Sequence, residues 1–460
     1  MEKLKYILRG FIVTLLMVSC GDSFFEQYPS NSITEGNHYK TDDDFNQGVR
    51  SCYAALKSML SFHQSELAYR GDECILESMA VSTQDRYNID HFVDLPGNTI
   101  LVNIWNSWYN GIYRCNDVLD HMEGKEIANY SRYRGELLFL RSWWYFNLYR
   151  TFGVVPITQT VVTPEQSKRI PRCTEEEMYN LLFSDLSESA KFLPERRDAE
   201  VARVSKTAAY ALLAKVCLTF QKHTEAKEVM EEIFKDQNYG LMGTTAEAFD
   251  IGNKMNKEII FATYYNKSTD NGHGVWYSVP STVESDIRNP TPEFKAIYTP
   301  DDNRYPLIST YTEIGPNVYV MNKWYDTYDA TYSTLVGNDF PHLRYTDVVL
   351  MYAEAMNELD DLDTALEYLN KTRTRAGLVE ITKTEVSGKN EFREVLAEER
   401  AKELALEGHR WFDLVRLGLA VDFFRGMGYT LDAHNLIFPI PQSQIEIVND
   451  KSILWQNPGY

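Results

Sequence analysis

The sequence predicts a mostly α-helical fold in which helix pairs stack side by side around a large irregular portion. Apolar residues recur at helical spacing over most of the chain, whereas the stretch 240–342 loses that spacing and is rich in Gly, Pro, Ser, Asn and Tyr. Two segments, 204–235 and 344–376, each show a helix, a break and a second helix over about 34 residues, which is the length of a tetratricopeptide-like repeat.

The composition indicates a folded chain with an acidic surface. Hydrophobic residues make up 44% of the 460 residues and charged residues 24%, which excludes a disordered or collagen-like chain. The formal net charge of -20 would repel a polyanion, so we expect no nucleic acid partner. The 30 tyrosines suit both helix packing and flat surfaces for sugars.

The first twenty residues resemble an export and anchoring signal. Three basic residues precede a short apolar run at 11–18, which is typical of a secretory signal peptide over 1–19. The residues 17–20, Met-Val-Ser-Cys, resemble a bacterial lipobox, although Met stands where Leu is usual. We therefore predict a lipid anchor on Cys20, with an ordinary signal peptide followed by a chance cysteine as the alternative.

The five cysteines beyond Cys20 predict no disulfide framework, because they are odd in number and irregularly spaced. Cys115 and Cys217 lie in helical patterns beside apolar residues. We expect both to be buried free thiols.

The helices begin at Thr41, whose side chain can cap the first one, and the acids at 42–44 suit its first turn. The spacing of those acids does not match a calcium loop. Tryptophans on the helical stripes are expected in the core: Trp105, Trp144 and Trp411. Four helix pairs follow from the periodicity: 41–59 with 103–122, 131–151 with 175–192, 204–235, and 344–376.

Two segments, 61–100 and 241–342, are predicted to be irregular insertions, and such loops often carry binding residues. Within the second, 258–264 has strand character, and few other strands are expected. A helix over 391–418 is predicted in the last part of the chain. We divide the mature domain, 20–460, into an N-terminal part 41–240, the insertion 241–342 and a C-terminal part 343–460.

A charged cluster near the C-terminus contains residue types that are found in metal and acid–base sites. His409 and Asp413 are four residues apart, with Glu399 and Glu403 just before them, so a metal or acid–base site is conceivable. The interspersed Arg400 and Arg410 disfavour a cation, and a buried salt-bridged junction fits the mixed signs better. The chain contains no P-loop, dinucleotide, G-x-S-x-G or H-E-x-x-H motif.

Several motifs in a fixed order carry a family resemblance. The most specific are Glu407-Gly-His-Arg-Trp-Phe-Asp-Leu414 and the terminal Gln456-Asn-Pro-Gly-Tyr460. The others lie at 133–146, 152–156, 211–214, 256–261, 344–355 and 399–405. Together they span nearly the whole chain and resemble the SusD/RagB family of outer-membrane nutrient-binding lipoproteins.

The resemblance implies a right-handed stack of four tetratricopeptide-like helix pairs with a loop-rich ligand-binding portion. It also implies a lipid anchor in the outer membrane, facing the cell exterior, and a SusC-like TonB-dependent transporter as partner. Members capture oligosaccharides, or in some cases peptides, and are not enzymes. No cofactor and no metal are expected.

Ligand contacts are expected from the two irregular segments, because aromatic rings stack on sugar rings and a few polar groups fix the hydroxyls. Trp276 and Trp324, in polar surroundings, are the preferred candidates, with loop packing as the alternative for each aromatic. The candidate residues are Tyr69, Arg70, Asp72 and Tyr87 in the first segment and Trp276, Tyr277, Trp324 and Tyr325 in the second.

Two other classes of function stay open at this point. An extracytoplasmic glycosidase needs only two suitably placed carboxylates, which an acidic chain offers in number. A helical-repeat scaffold without a small ligand is the other alternative.

Overall fold

The structure is a computed structural model that describes residues 39–59, 67, 69–74, 84–196, 203–265, 290–315, 318–325 and 337–460. The predicted signal peptide, Cys20, Trp276 and Tyr277 lie outside the described residues.

Helices dominate the described part of the chain, as predicted, and none of them combines the length and apolar character needed to cross a membrane. The helices are α1 Asp42–Met59, α2 Gln84–Asp90, α3 Thr99–Met122, α4 Tyr130–Phe152, α5 Pro164–Ser167, α6 Glu175–Phe192, α7 Lys206–Thr219, α8 His223–Phe234, α9 Thr245–Ala248, α10 Pro292–Lys295, α11 Tyr305–Ser309, α12 Tyr345–Glu358, α13 Leu362–Arg375, α14 Lys389–Glu403, α15 Arg410–Arg416, α16 Ala420–Gly426 and α17 Gln442–Val448. The strands are β1 Ile259–Thr263, β2 Tyr311–Gly315, β3 Val318–Met321 and β4 Phe340–Arg344.

The long helices pack in chain order, which confirms the four predicted pairs. The pairs are α1 with α3, α4 with α6, α7 with α8, and α12 with α13. Each pair also contacts the next, through α3 and α4, α6 and α7, and α8 and α12. The handedness of this stack and its tetratricopeptide-like geometry stay predictions.

Local side-chain bonds determine where several helices begin. The Thr41 hydroxyl accepts from the Asp44 amide at 3.2 Å, while the Asp44 carboxylate accepts from the Thr41 amide at 2.7 Å. Thr174 and Glu177 make the same reciprocal pair at α6. Such caps satisfy amides that the first helical turn leaves unpaired. The predicted capping role of Thr41 is thereby confirmed.

A small antiparallel sheet closes the insertion 241–342. Strand β1 pairs with β4, with Ile259 opposite Arg344, and both strands contact α7. The predicted strand at 258–264 is confirmed, and the pairing brings the two ends of the insertion together. Among the described residues of this insertion, α-helix is confined to the three short helices α9, α10 and α11, where the sequence predicted none. Two 3₁₀ helices, Ile251–Asn253 and Asn322–Trp324, accompany them.

The predicted single helix over 391–418 is wrong, because it breaks into α14 and α15. Leu406 and Gly408 adopt positive φ angles of 61° and 77°. Buried side chains from elsewhere bind the backbone of this turn: the Leu406 amide donates to Glu73 at 2.6 Å, and the Ala405 carbonyl accepts from the Lys323 ammonium at 2.6 Å. These two bonds give the Leu406 amide and the Ala405 carbonyl partners outside a helix.

The core contains the residues expected in it. Trp105, Trp144 and Trp411 are all buried, and so are the free thiols of Cys115 and Cys217. Residues 61–100 are less irregular than predicted, since they contain α2 and the start of α3.

We expect the substitution Gly111→Ala to destabilise the fold, although Ala normally stabilises a helix relative to Gly by about 1 kcal/mol. A Cβ at this position of α3 would lie 2.4 Å from the Trp144 Nε1 atom of α4. Because Trp144 is buried, the two helices must separate, at a cost of about 1–3 kcal/mol. Urea unfolding measures the change. The control is Gly426→Ala in α16, where no atom lies within 4 Å; a stabilised Gly111→Ala protein would contradict the close crossing.

Candidate ligand-binding surface

The two predicted ligand segments meet in the folded chain. The Thr291 amide donates to the Glu73 carbonyl at 3.0 Å, and the Thr291 hydroxyl donates to the Asp72 carbonyl at 3.2 Å. Residues far apart in sequence therefore share one region of the molecule. Within it, the structure separates candidates that are buried from those that reach the surface.

Arg70 is a structural residue, which corrects its predicted ligand role. Its side chain is 0% exposed, and its two Nη atoms donate to the Asp94 carboxylate at 2.9 and 2.6 Å. Its guanidinium carbon also lies 4.1 Å from the centre of the Phe92 ring. A guanidinium that is paired and enclosed in this way has no face left for a sugar.

Tyr69 and Asp72 are also buried, so their predicted ligand roles are wrong in this structure. The Asp72 carboxylate accepts from Arg410 at 2.7 and 3.1 Å. The Asp72–Arg410 pair holds the 69–74 segment onto the C-terminal part, because a buried carboxylate needs its cationic partner.

Trp324, a preferred candidate, lies in the core. Its side chain is 0% exposed, its ring is stacked on Phe340 with centroids 6.1 Å apart, and Phe249 meets it edge-on at 5.2 Å. The polar sequence around it gave a wrong prediction, because the adjacent Lys323 is itself buried against Glu407 at 2.8 Å. Tyr325 is half-buried and stays a candidate.

Tyr87 belongs to a partly exposed aromatic cluster, which we call the aromatic platform: Tyr87, His91 and Tyr429. Tyr87 and His91 lie one turn apart at α2, and their rings are stacked with centroids 3.8 Å apart and planes 14° apart. The Tyr429 ring meets His91 at 6.2 Å and 65°. All three side chains are half-buried.

Acidic groups surround the aromatic platform. The Asp90 carboxylate lies 2.9 Å from His91 Nδ1. Partial burial, followed by the charges of Asp90, Asp72 and Glu293, raises the pKa of Tyr429. The rings offer flat apolar faces, and Glu293, whose side chain is exposed, offers a hydrogen-bond acceptor beside them. This combination suits a ring with several hydroxyls.

Sequence reasoning missed His91 and Tyr429. The spacing of Tyr87 and His91 by four residues was a usable signal, because such residues share one helical face. Tyr429 had no comparable signal, since its place beside α2 depends on a contact across more than half of the chain.

The charged cluster near the C-terminus is part of a buried ion-pair network, which confirms the predicted salt-bridged junction. Arg400 pairs with Asp347 and Asp413, each at 2.7 Å. The other pairs of the network are Arg304 with Asp302, Glu399 and Glu403, Arg344 with Glu258, Glu403 and Glu407, Arg375 with Glu258 and Glu403, and Arg416 with Glu354 and Asp413.

The network holds the carboxylates of Glu403 and Asp413 ionised. Burial alone would raise the pKa of Glu403, but the guanidiniums of Arg375, Arg344 and Arg304 outweigh it and lower the pKa to about 2. Burial is likewise outweighed at Asp413, where Arg400 and Arg416 hold the pKa below its ordinary value. Neither group is suited to act as a general acid near neutral pH.

Comparisons with known proteins find one family across the chain. A family model described as "SusD family" matches residues 305–460, and one described as "Starch-binding associating with outer membrane" matches 24–218. The SusD-like protein P2 of Formosa agariphila is 25% identical, and the alignment covers 99% of this chain and 100% of the relative.

Solved structures of SusD-like proteins share the fold. One from Bacteroides fragilis superposes with a TM-score of 0.78 at 23% identity, over 94% of this chain and 100% of that one. A structure described as a laminarin binding SusD-like protein gives a TM-score of 0.76 at 24% identity, over 92% and 100%.

We expect Asp94→Asn to lower the free energy of unfolding by about 3–5 kcal/mol, because it leaves the enclosed Arg70 cation without its carboxylate. Both side chains are 0% exposed. Urea denaturation measures the loss. The exposed pair of Lys235 and Glu232 provides the control, since Glu232→Gln should cost less than about 1 kcal/mol. An Asp94→Asn protein of unchanged stability would contradict the structural role given to Arg70.

Proposed function

This chain belongs to the SusD/RagB family, and on that premise we propose that it is a cell-surface lipoprotein that binds an oligosaccharide and delivers it to a SusC-like TonB-dependent transporter. The observation that carries the binding part is the aromatic platform. It lies where the two irregular segments and the C-terminal part of the chain meet, on a surface that the helix pairs do not bury.

The chemistry of the aromatic platform favours a sugar. The face of Tyr87 or Tyr429 would stack on the apolar C–H face of a sugar ring, and the exposed Glu293 carboxylate would accept hydrogen bonds from its hydroxyls. A similarly folded protein is described as laminarin binding, which supports a glycan as the ligand class. The acidic surroundings favour a neutral glycan over an anionic one.

We propose binding without catalysis. The candidate metal or acid–base cluster belongs to the buried ion-pair network. It consists of His409, Asp413, Glu399 and Glu403. Its carboxylates each have a guanidinium partner, and a glycosidase needs one carboxylic acid with a raised pKa beside the scissile bond.

The proposed location rests on the N-terminal sequence. Cys20 would carry the lipid after removal of 1–19 and hold the domain at the outer membrane, facing the exterior. The residues between Cys20 and α1 would then form the tether. Several acyl chains on one cysteine anchor a protein firmly, whereas a single chain binds only marginally.

We expect Cys20→Ser to abolish lipidation, because the thiol is the acyl acceptor. Fractionation of cells expressing the full chain should then find the protein released from the membrane fraction, or retained as an uncleaved precursor. Cys52→Ser, which changes a buried thiol, is the control and should stay in the membrane fraction. Membrane retention of processed Cys20→Ser protein would contradict the anchor.

We expect Tyr87→Ala and Tyr429→Ala each to weaken oligosaccharide binding by about 2 kcal/mol, which is about 30-fold in Kd, because each removes a stacking face. Calorimetric titration of 21–460 with a panel of neutral oligosaccharides, starting with laminarin fragments, measures the loss.

The control for these variants is Tyr113→Ala, since Tyr113 is 50% exposed on α3 and lies outside the aromatic platform. Binding that Tyr113→Ala abolishes and Tyr87→Ala leaves intact would move the site away from the platform. The absence of saturable binding to any glycan, together with binding to short peptides, would support the peptide-binding alternative.

A further inference from the structure

One cavity of the molecule shares no lining residue with the aromatic platform. Its volume is about 290 Å³. Four parts of the chain line it: the end of α4, the end of α7, the region of α15, and the residues 436–437. Its walls are apolar where Phe146, Phe412, Val415 and Ile437 face it. The charged side chains that line it are Arg150, Lys215, Asp413 and Arg416.

Arg150 is a cation without a carboxylate partner in the described part of the chain. Its Nε and Nη2 atoms both donate to the Asn147 side-chain oxygen, at 3.1 and 2.7 Å, and its Nη1 atom bonds to no described residue. The guanidinium carbon lies 3.9 Å from the centre of the Phe412 ring. Burial lowers the pKa of Arg150 to about 10, so the group still carries its charge at neutral pH.

The carboxylates nearest this cavity are already committed to other cations. Asp413 pairs with Arg400 and Arg416, and Glu354 pairs with Arg416. The Lys215 ammonium lies 2.6 Å from the Asp347 carboxylate. Among the described residues that line the cavity, Arg150 is therefore the cation without an ion pair, in a chain whose net charge is -20.

His409 supplies a second donor. Its Nδ1 atom lies 3.1 Å from the Lys215 ammonium, which can only donate, so Nδ1 accepts and the ring proton sits on Nε2. Burial, followed by the Lys215 charge, holds the pKa of His409 well below its ordinary value, so the ring is neutral. The side chain is nine-tenths buried and lines the cavity, and no described residue accepts its Nε2 proton.

We propose that this cavity binds a small organic carboxylate carried on a six-membered ring. The free Nη1 end of Arg150 would bind the carboxylate, which a planar guanidinium matches well, and the Nε2–H of His409 would donate to the same ligand. The ring would pack against Phe412 and Ile437. One uncompensated cation and one neutral donor fit a single negative charge better than a phosphate dianion.

Titration calorimetry of 21–460 with benzoate and with glucuronate tests the proposal and distinguishes an aromatic from a sugar body. Benzyl alcohol and glucose, which lack the carboxylate, are the neutral probes. The expected result is saturable binding of at least one carboxylate, with at least tenfold weaker binding of its neutral counterpart. No saturable binding of either carboxylate overturns the proposal.

Two variants locate the binding. Arg150→Met should abolish it while leaving the urea midpoint of the unliganded protein no lower, since an unpaired buried cation contributes no ion pair. Gln221→Glu, at an exposed position that lines the same cavity, should also weaken it by adding a negative charge there. The second variant keeps the test decisive if the first fails to fold.

The controls are Arg114→Met, which removes the same charge from an exposed position of α3, and Tyr87→Ala. Both should bind the carboxylate as the wild type does. Binding that survives Arg150→Met, that Gln221→Glu leaves unchanged, or that Tyr87→Ala abolishes, places the carboxylate elsewhere and overturns this assignment. Because Tyr87→Ala removes only the platform, failure of the cavity proposal leaves the glycan proposal untouched.

Discussion

The ion-pair network around Arg344 is the constraint on which the rest of the structure depends. Arg344 ends β4 and binds Glu258 at 2.6 Å, Glu407 at 2.7 Å and the Glu403 carbonyl at 2.9 Å. These partners lie before β1, after α14 and at its end. Taking such groups out of water is costly, so the arrangement is stable only with every partner in place. The network therefore determines how the insertion, the last helix pair and the C-terminal part fit together.

This constraint also decides which residues can bind a ligand. Arg70, Asp72 and Lys323 all come from the irregular segments, and each is used to hold those segments onto the C-terminal part. The described candidate residues that stay partly exposed are aromatic, namely those of the platform and Tyr325. The aromatic platform and the interior charges thus have separate roles, and sequence position alone does not distinguish one from the other.

Arg150 contrasts with the arginines of the network. It lies at the end of α4, close to the charges of α15, yet its side chain is held by an amide oxygen and an aromatic ring instead of a carboxylate. A half-buried cation held in this way is poorly compensated by the protein. The neighbouring cavity gives room for a ligand whose negative charge would compensate that of Arg150. In this respect the region differs from the ion-pair network, whose arginines already have carboxylate partners.

The sequence by itself determined the helix pairs, the Thr41 cap, the buried tryptophans and the mixed-charge junction. Those features depend on periodicity and on neighbours a few residues apart, which the sequence records directly. Only the tertiary structure decided the break between α14 and α15, the burial of Trp324 and the meeting of Tyr429 with His91. Each of these depends on groups many residues away: Leu406 is bound by Glu73, and Trp324 packs on Phe249 and Phe340. A local pattern shows which side chains are polar or aromatic, but burial is a property of the neighbours that folding brings to them.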